Sequence, residues 1–100
     1  MSRPVPLAAT RHAPRATLNH LGHEIVHAET TANLWGRQGI WDRQDWWLEY
    51  LERLRGWHWY WVRHQIPQQL VRCPDCLRVQ HPESGLTRCF ACRSEWLVNG

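Results

Sequence analysis

Two constellations in this chain could do chemistry. The first is a pair of C-x-x-C turns, Cys73-Pro-Asp-Cys76 and Cys89-Phe-Ala-Cys92, separated by twelve residues. Each turn aims two sulfurs at one point, and a thiolate binds zinc at about 2.3 Å. Four thiolates close a tetrahedral shell, so a metal held there is structural and has no open position for a substrate. The intervening "HPESG", His81 to Gly85, holds the turn residues a connecting hairpin needs. All four cysteines of the chain fall into this pattern. Two disulfides, or a redox pair, are the competing use of the same residues. A chain kept in a reducing compartment favours the metal.

The second constellation is His23-Glu24-Ile25-Val26-His27. On a helix, imidazoles four residues apart share a face and reach one cation. The intervening Glu then takes a proton from metal-bound water, whose pKa the zinc lowers toward 7. Two ligands do not complete a catalytic zinc site. With seven His and six Glu in 100 residues a chance match somewhere is roughly a three-in-a-hundred event, so the motif by itself only suggests the chemistry.

The elements that must position these residues follow from pattern. Residues 1–13 carry Pro4 and Pro6 and read as an extended arm. Pro14 is suited to opening a helix, and nothing before Leu34 breaks one except Gly22. Leu18, Leu21, Ile25 and Ala28 fall on one stripe of that helix. Gly36 and Gly39 bracket a loop, and Asp42 is placed to cap a second helix, with Trp46, Leu48, Leu51 and Leu54 inward and Gly56 as its stop. The aromatic, β-branched "WHWYWVRHQIP" (residues 57–67) leans to an extended segment ending before Pro67.

A third feature is compositional. Eight Trp in 100 residues supply much of the apolar area of a small chain, and every Lys/Arg position is Arg. Trp57, Trp59 and Trp61, with Arg55, Arg63 and Arg72, form a candidate nucleic-acid surface of stacking rings and phosphate partners. The competing role of these rings is to fill a core that a short chain must build from few residues. A net charge of +3 permits nucleic acid without requiring it. No apolar run approaches the ~20 residues of a membrane span, and the N-terminus has too short an apolar stretch for a signal peptide. The expected location is the cytoplasm.

Taken together, "TLNHLGHEIVHAE" (Thr17 to Glu29), "RQGIWDRQDWW" (Arg37 to Trp47) and the four-Cys tail resemble the SprT-like, Spartan-related zinc metallopeptidase family. The resemblance covers roughly residues 15 to 100. It implies an active-site helix, a Gly-rich loop before a third ligand, an aromatic opening the next helix (Trp46 here), and a terminal zinc ribbon. It also implies a protein or peptide substrate, an association with DNA, and two zinc ions, one structural and one catalytic. Glu24 would be the catalytic residue. Where the family places its third His, this chain has Asp42. Carboxylate oxygen is an acceptable zinc ligand, so His23, His27 and Asp42 would hold the metal, with Asp45 the fallback. An Asp at that point is equally suited to capping its helix, and the two roles compete for its oxygens. Only 22 residues precede His23, fewer than the family uses to line a cleft. The domain would then be a minimal version or a remnant of the family's, or a subunit whose cleft a partner chain or a second copy completes. The rival reading is a non-catalytic ribbon module that recognises DNA or a protein.

The expected architecture is therefore α+β: an arm over residues 1–13, a small two-helix zincin-like core over 14–66, and a zinc ribbon over 67–100.

Overall fold

The computed structural model describes residues 12–82 and 86–97, and the fold is α+β. Most of the expected arm and the "ESG" of the connecting turn lie outside those residues. Two helices, α1 (Leu18–Arg37) and α2 (Trp41–His64), precede four short strands, β1 (Val71–Arg72), β2 (Val79–Gln80), β3 (Leu86–Arg88) and β4 (Glu95–Leu97). The chain divides into two compact units. One is the helical segment Thr17–Gln68; the other joins the strands to residues 12–16.

In the helical unit, α1 starts at Thr17 rather than at Pro14. The Thr17 hydroxyl accepts a hydrogen bond from the His20 amide, and His20 Nδ1 accepts one from the Thr17 amide, both at 3.1 Å. This is a capping box in which an imidazole does what a Glu or Gln usually does. The buried face of α1 is Leu21, Glu24, Ala28 and Ala32, at helical steps of three and four. Its C-terminal half is lined with small residues because α2 comes close. A Cβ on Gly36 would collide with the side-chain amide of Gln44. Gly36 lies within α1, which runs to Arg37, and the loop is shorter than its glycines suggest. Gly39, at φ +73°, makes the turn.

α2 departs from expectation in two ways. Asp42 does not cap it: the N-cap is Ile40, with no side-chain hydrogen bond, and Asp42 lies exposed in the first turn. There a carboxylate still favours the positive end of the helix dipole. The larger correction is at residues 57–64. These are helix, not an extended segment, and Gly56 does not stop it. Chain reversal waits for Gln65, in the left-handed region at φ 54°, two residues before Pro67. The physical reason is continuity. Tyr50, Leu51 and Leu54 are buried, Trp57, His58 and Trp61 half-buried, and these positions continue one helical stripe past the glycine. Leu48, expected inside, is exposed instead.

In the strand unit, β1 pairs antiparallel with β2, and β3 with β4, in registers Val71↔Gln80, Arg72↔Val79, Leu86↔Leu97, Thr87↔Trp96 and Arg88↔Glu95. Residues 12–16 form a pairing segment. The Ala13 amide donates to the Leu97 carbonyl, the Ala16 amide to the Leu70 carbonyl, and the Arg72 amide to the Pro14 carbonyl. Val71, Cys73, Cys89 and Trp96 form the core of this unit, flanked by Ala13, Cys76 and Ala91.

A glycine inside a helix costs about 0.5–1 kcal/mol relative to alanine when nothing opposes a Cβ. A Cβ on Gly56 meets no atom within 4 Å. Gly56→Ala is therefore expected to stabilise the helical unit by that amount in urea denaturation followed by circular dichroism. A neutral or destabilising result would mean that α2 ends near residue 56.

Candidate metal centre

The two C-x-x-C turns fold as near-copies of one knuckle. In the first, the Cys73 amide donates to the Arg78 carbonyl and the Leu77 amide to the Cys73 carbonyl, each at 3.0 Å. In the second, the Cys89 amide donates to the Ser94 carbonyl at 2.7 Å and the Arg93 amide to the Cys89 carbonyl at 3.0 Å. The Asp75 amide points at Cys73 Sγ and the Ala91 amide at Cys89 Sγ, both at 3.4 Å. Leu77 and Arg93, each following a second cysteine, take matching left-handed conformations at φ 66° and 65°. Strain of about 1 kcal/mol per non-glycine residue is accepted at both corners so that the sulfurs converge.

They do converge. One ligand atom from each of Cys73, Cys76, Cys89 and Cys92 lies within 4.8 Å of all the others. The cross-knuckle pairs Cys73–Cys92 and Cys76–Cys89 are at 3.5 Å. That is far beyond the ~2.05 Å of a disulfide. It is close to the ~3.8 Å separation of sulfurs set tetrahedrally at ~2.3 Å around zinc. All four cysteines are free thiols. The donor set fits a metal ion such as zinc.

Electrostatics differ among the four. Burial pushes the Cys73 thiol up, against hydrogen bonds from the Cys76 and Asp75 backbone. Burial pushes Cys76 up much further, aided by the neighbouring thiols of Cys89, Cys92 and Cys73. At Cys92 burial also acts upward but is outweighed. Hydrogen bonding from the Ser94 hydroxyl and backbone, then from the Cys73 and Cys76 thiols, lowers it to about 6. Cys92 is also the exposed member of the set. A cation entering the cluster must displace the protons still held by Cys73 and Cys76, so metal uptake weakens as pH falls.

The second constellation is arranged differently. Among the described residues the four cysteines are the one group of three or more His, Cys, Asp or Glu whose ligand atoms lie this close. His23, His27 and Asp42 are not drawn together into another, and a second, catalytic zinc is not supported. His23 and His27 are exposed on α1, with the His27 ring 5.4 Å from that of Trp47 in an edge-on contact. Asp45 is exposed as well. Glu24 faces the other way. It is 7% exposed and accepts a hydrogen bond from the Tyr50 hydroxyl at 3.2 Å. Its carboxylate ties the two helices together.

The aromatic and arginine candidates also separate. On a helix, residues 57, 59 and 61 do not share a face, so Trp57 and Trp61 turn partly inward while Trp59 stands 58% exposed. The Arg63 guanidinium lies over the Trp59 ring at 5.4 Å. These two, with His58 and Val62, border an open hollow of about 540 Å³. Arg55 is ion-paired to Glu29 at 3.0 Å. Arg72 is half-buried in β1.

No family model, curated protein or solved structure matches the chain. The SprT-like resemblance accordingly stands on its quoted motifs alone.

The cysteine ordering can be checked on metal-free protein. Limited iodoacetamide treatment at pH 7 should label the exposed Cys92 before the buried Cys73 and the half-buried Cys76, as read by peptide mass spectrometry. Labelling of Cys92 should rise as pH passes about 6. Stoichiometric zinc should protect all four. Equal labelling with or without zinc would remove the metal assignment.

Proposed function

We propose that this chain is a zinc-ribbon binding module: one zinc ion on Cys73, Cys76, Cys89 and Cys92 holds the strand unit, and the protein works by binding rather than by catalysis. The observation that carries this reading is the convergence of four free thiols on two matched knuckles. Such a centre stays loaded where thiols remain reduced, which suits a cytoplasmic protein. Among the described residues no helix is long and apolar enough to cross a membrane.

The partner we favour is single-stranded nucleic acid, contacted by α2. From Arg53 to His64 the helix carries three Arg and two His and no acidic residue. Trp59 offers an exposed ring to a base, and Arg63, already placed over it, offers a cation to the adjoining phosphate. A protein partner is the other outcome of the same test.

A second reading, the SprT-like metallopeptidase, has one observation in its favour. His23 and His27 lie exposed a turn apart on α1, open to a cation, with Asp42 exposed at the start of α2. That reading requires Glu24 to meet a metal-bound water, whereas Glu24 is buried against Tyr50. It also brings a peptide substrate and a second copy or partner chain to complete the cleft. The binding module needs neither.

Metal stoichiometry separates the two. Elemental analysis of purified protein should give one zinc per chain, falling to none in Cys76→Ser with loss of the strand unit's dispersed amide resonances. Two per chain, with one retained in Cys76→Ser and removed by His23→Ala, would favour the peptidase.

The partner has its own measurement. Trp59→Ala should weaken binding of a fluorescent oligothymidylate by about 1–3 kcal/mol, with wild-type affinity falling as salt rises. Salt-independent binding, or none lost on the substitution, would direct the search to a protein partner.

A further inference from the structure

The two knuckles match in their backbone bonds but not in what surrounds their first sulfurs. Cys73 and Cys89 are equally inaccessible, at 0% and 1% exposure. Cys73 receives backbone N–H groups from Asp75 and Cys76, Cys89 receives one from Ala91, and each faces one thiol across the cluster. Cys89 has a further donor. Gln80, the last residue of β2 and 6% exposed, points its Nε2 at Cys89 Sγ from 3.3 Å. The same amide nitrogen also lies 3.4 Å from the Arg78 carbonyl. Its Oε1 accepts from the Phe90 amide at 3.3 Å.

The orientation of this amide is set by its partners. Reversed, it would aim an oxygen at a thiolate and at a carbonyl, and its NH2 at an N–H donor. All three contacts would turn repulsive. The side chain therefore reaches from the first hairpin into the second knuckle and grips it at two successive residues, Cys89 and Phe90.

We propose that Gln80 is the positioning residue of the metal centre: its amide fixes the second knuckle and quenches the Cys89 thiolate, so that Cys89 is the ligand slowest to be released or attacked. The proposal rests on the zinc-ribbon reading. Its physics is that four thiolates around a divalent cation carry a net charge of about −2. An N–H donor aimed at one sulfur withdraws charge from it and lowers its nucleophilicity, and loss of such outer contacts commonly costs about 10–100-fold in metal affinity. The repeat itself provides the comparison, since Cys73 is equally buried and is served by backbone N–H groups alone, without a glutamine.

Gln80→Glu tests the donor at almost constant size. The carboxylate can still accept from the Phe90 amide but opposes Cys89 with negative charge. Zinc affinity, measured by competition with a chromophoric chelator, should fall about 10–100-fold. The thiolate-to-metal charge-transfer band of the cobalt-substituted protein should shift. Gln80→Leu, which fills similar space, should also lose affinity; a purely space-filling role would leave it near wild type. A companion measurement needs no variant. In zinc-loaded wild-type protein treated with a small alkylating agent, Cys89 should react several-fold more slowly than Cys73. Affinity of Gln80→Glu within twofold of wild type and an unshifted cobalt band, or Cys89 reacting as fast as Cys73, would overturn the role of Gln80. Failure of the wild-type chain to give a tetrahedral cobalt–thiolate spectrum would instead remove the zinc-ribbon reading beneath it.

Discussion

Convergence of four sulfurs is the constraint on which the strand unit depends. Its strands are two or three residues long, and it has two separate two-stranded ladders. Hairpins of that size are marginal in water even when one face is covered. The buried cluster of Val71, Cys73, Cys89 and Trp96 is too small to replace a longer ladder, and two of its four members are metal-ligand candidates. Both left-handed corners, at Leu77 and Arg93, oppose the fold locally and make sense only if something rewards bringing the knuckles together. A cation bound by thiolates would supply that reward, because its binding free energy would appear directly as folding free energy.

The helical unit solves a different problem. Two helices alone have little to bury, and the chain meets this with close approach and a polar tie. Ala28, Ala32 and Gly36 recur every four residues on α1, allowing α2 to lie near. Glu24 and Tyr50 then link the two helices through the Tyr50 hydroxyl, which donates to the Glu24 side chain at 3.2 Å. The residue that looks catalytic in the sequence thus has a sufficient reason to be there in the packing of the helices.

What could be read in advance was what depends on spacing alone. The cysteine pairs, the first helix and the α+β class follow from intervals along the chain. Where reading failed, tertiary context decided. Aromatic and β-branched residues favour strands only weakly, and in residues 57–64 the helical stripe begun at Tyr50 overrode them. Asp42 has the chemistry of a cap, but the turn at Gly39 starts the helix earlier. His20 as a capping partner and Gln80 as a sulfur partner carry no pattern that marks them. Each acts through a contact that only the folded backbone creates. The H-E-x-x-H interval indicates which side chains share a face, but not whether that face meets a metal or the solvent.

The segment at residues 12–16 changes how the molecule is organised along its length. It pairs beside Leu70, Val71, Arg72 and Leu97, so the helical hairpin is an insertion within the strand unit rather than a domain in front of it. During synthesis this segment emerges well before Leu70, Val71, Arg72 and Leu97, the residues it pairs with. The intervening hairpin, made of local contacts and closed by a three-residue turn, can form meanwhile and draw its two ends together. That shortens the loop the last step has to close.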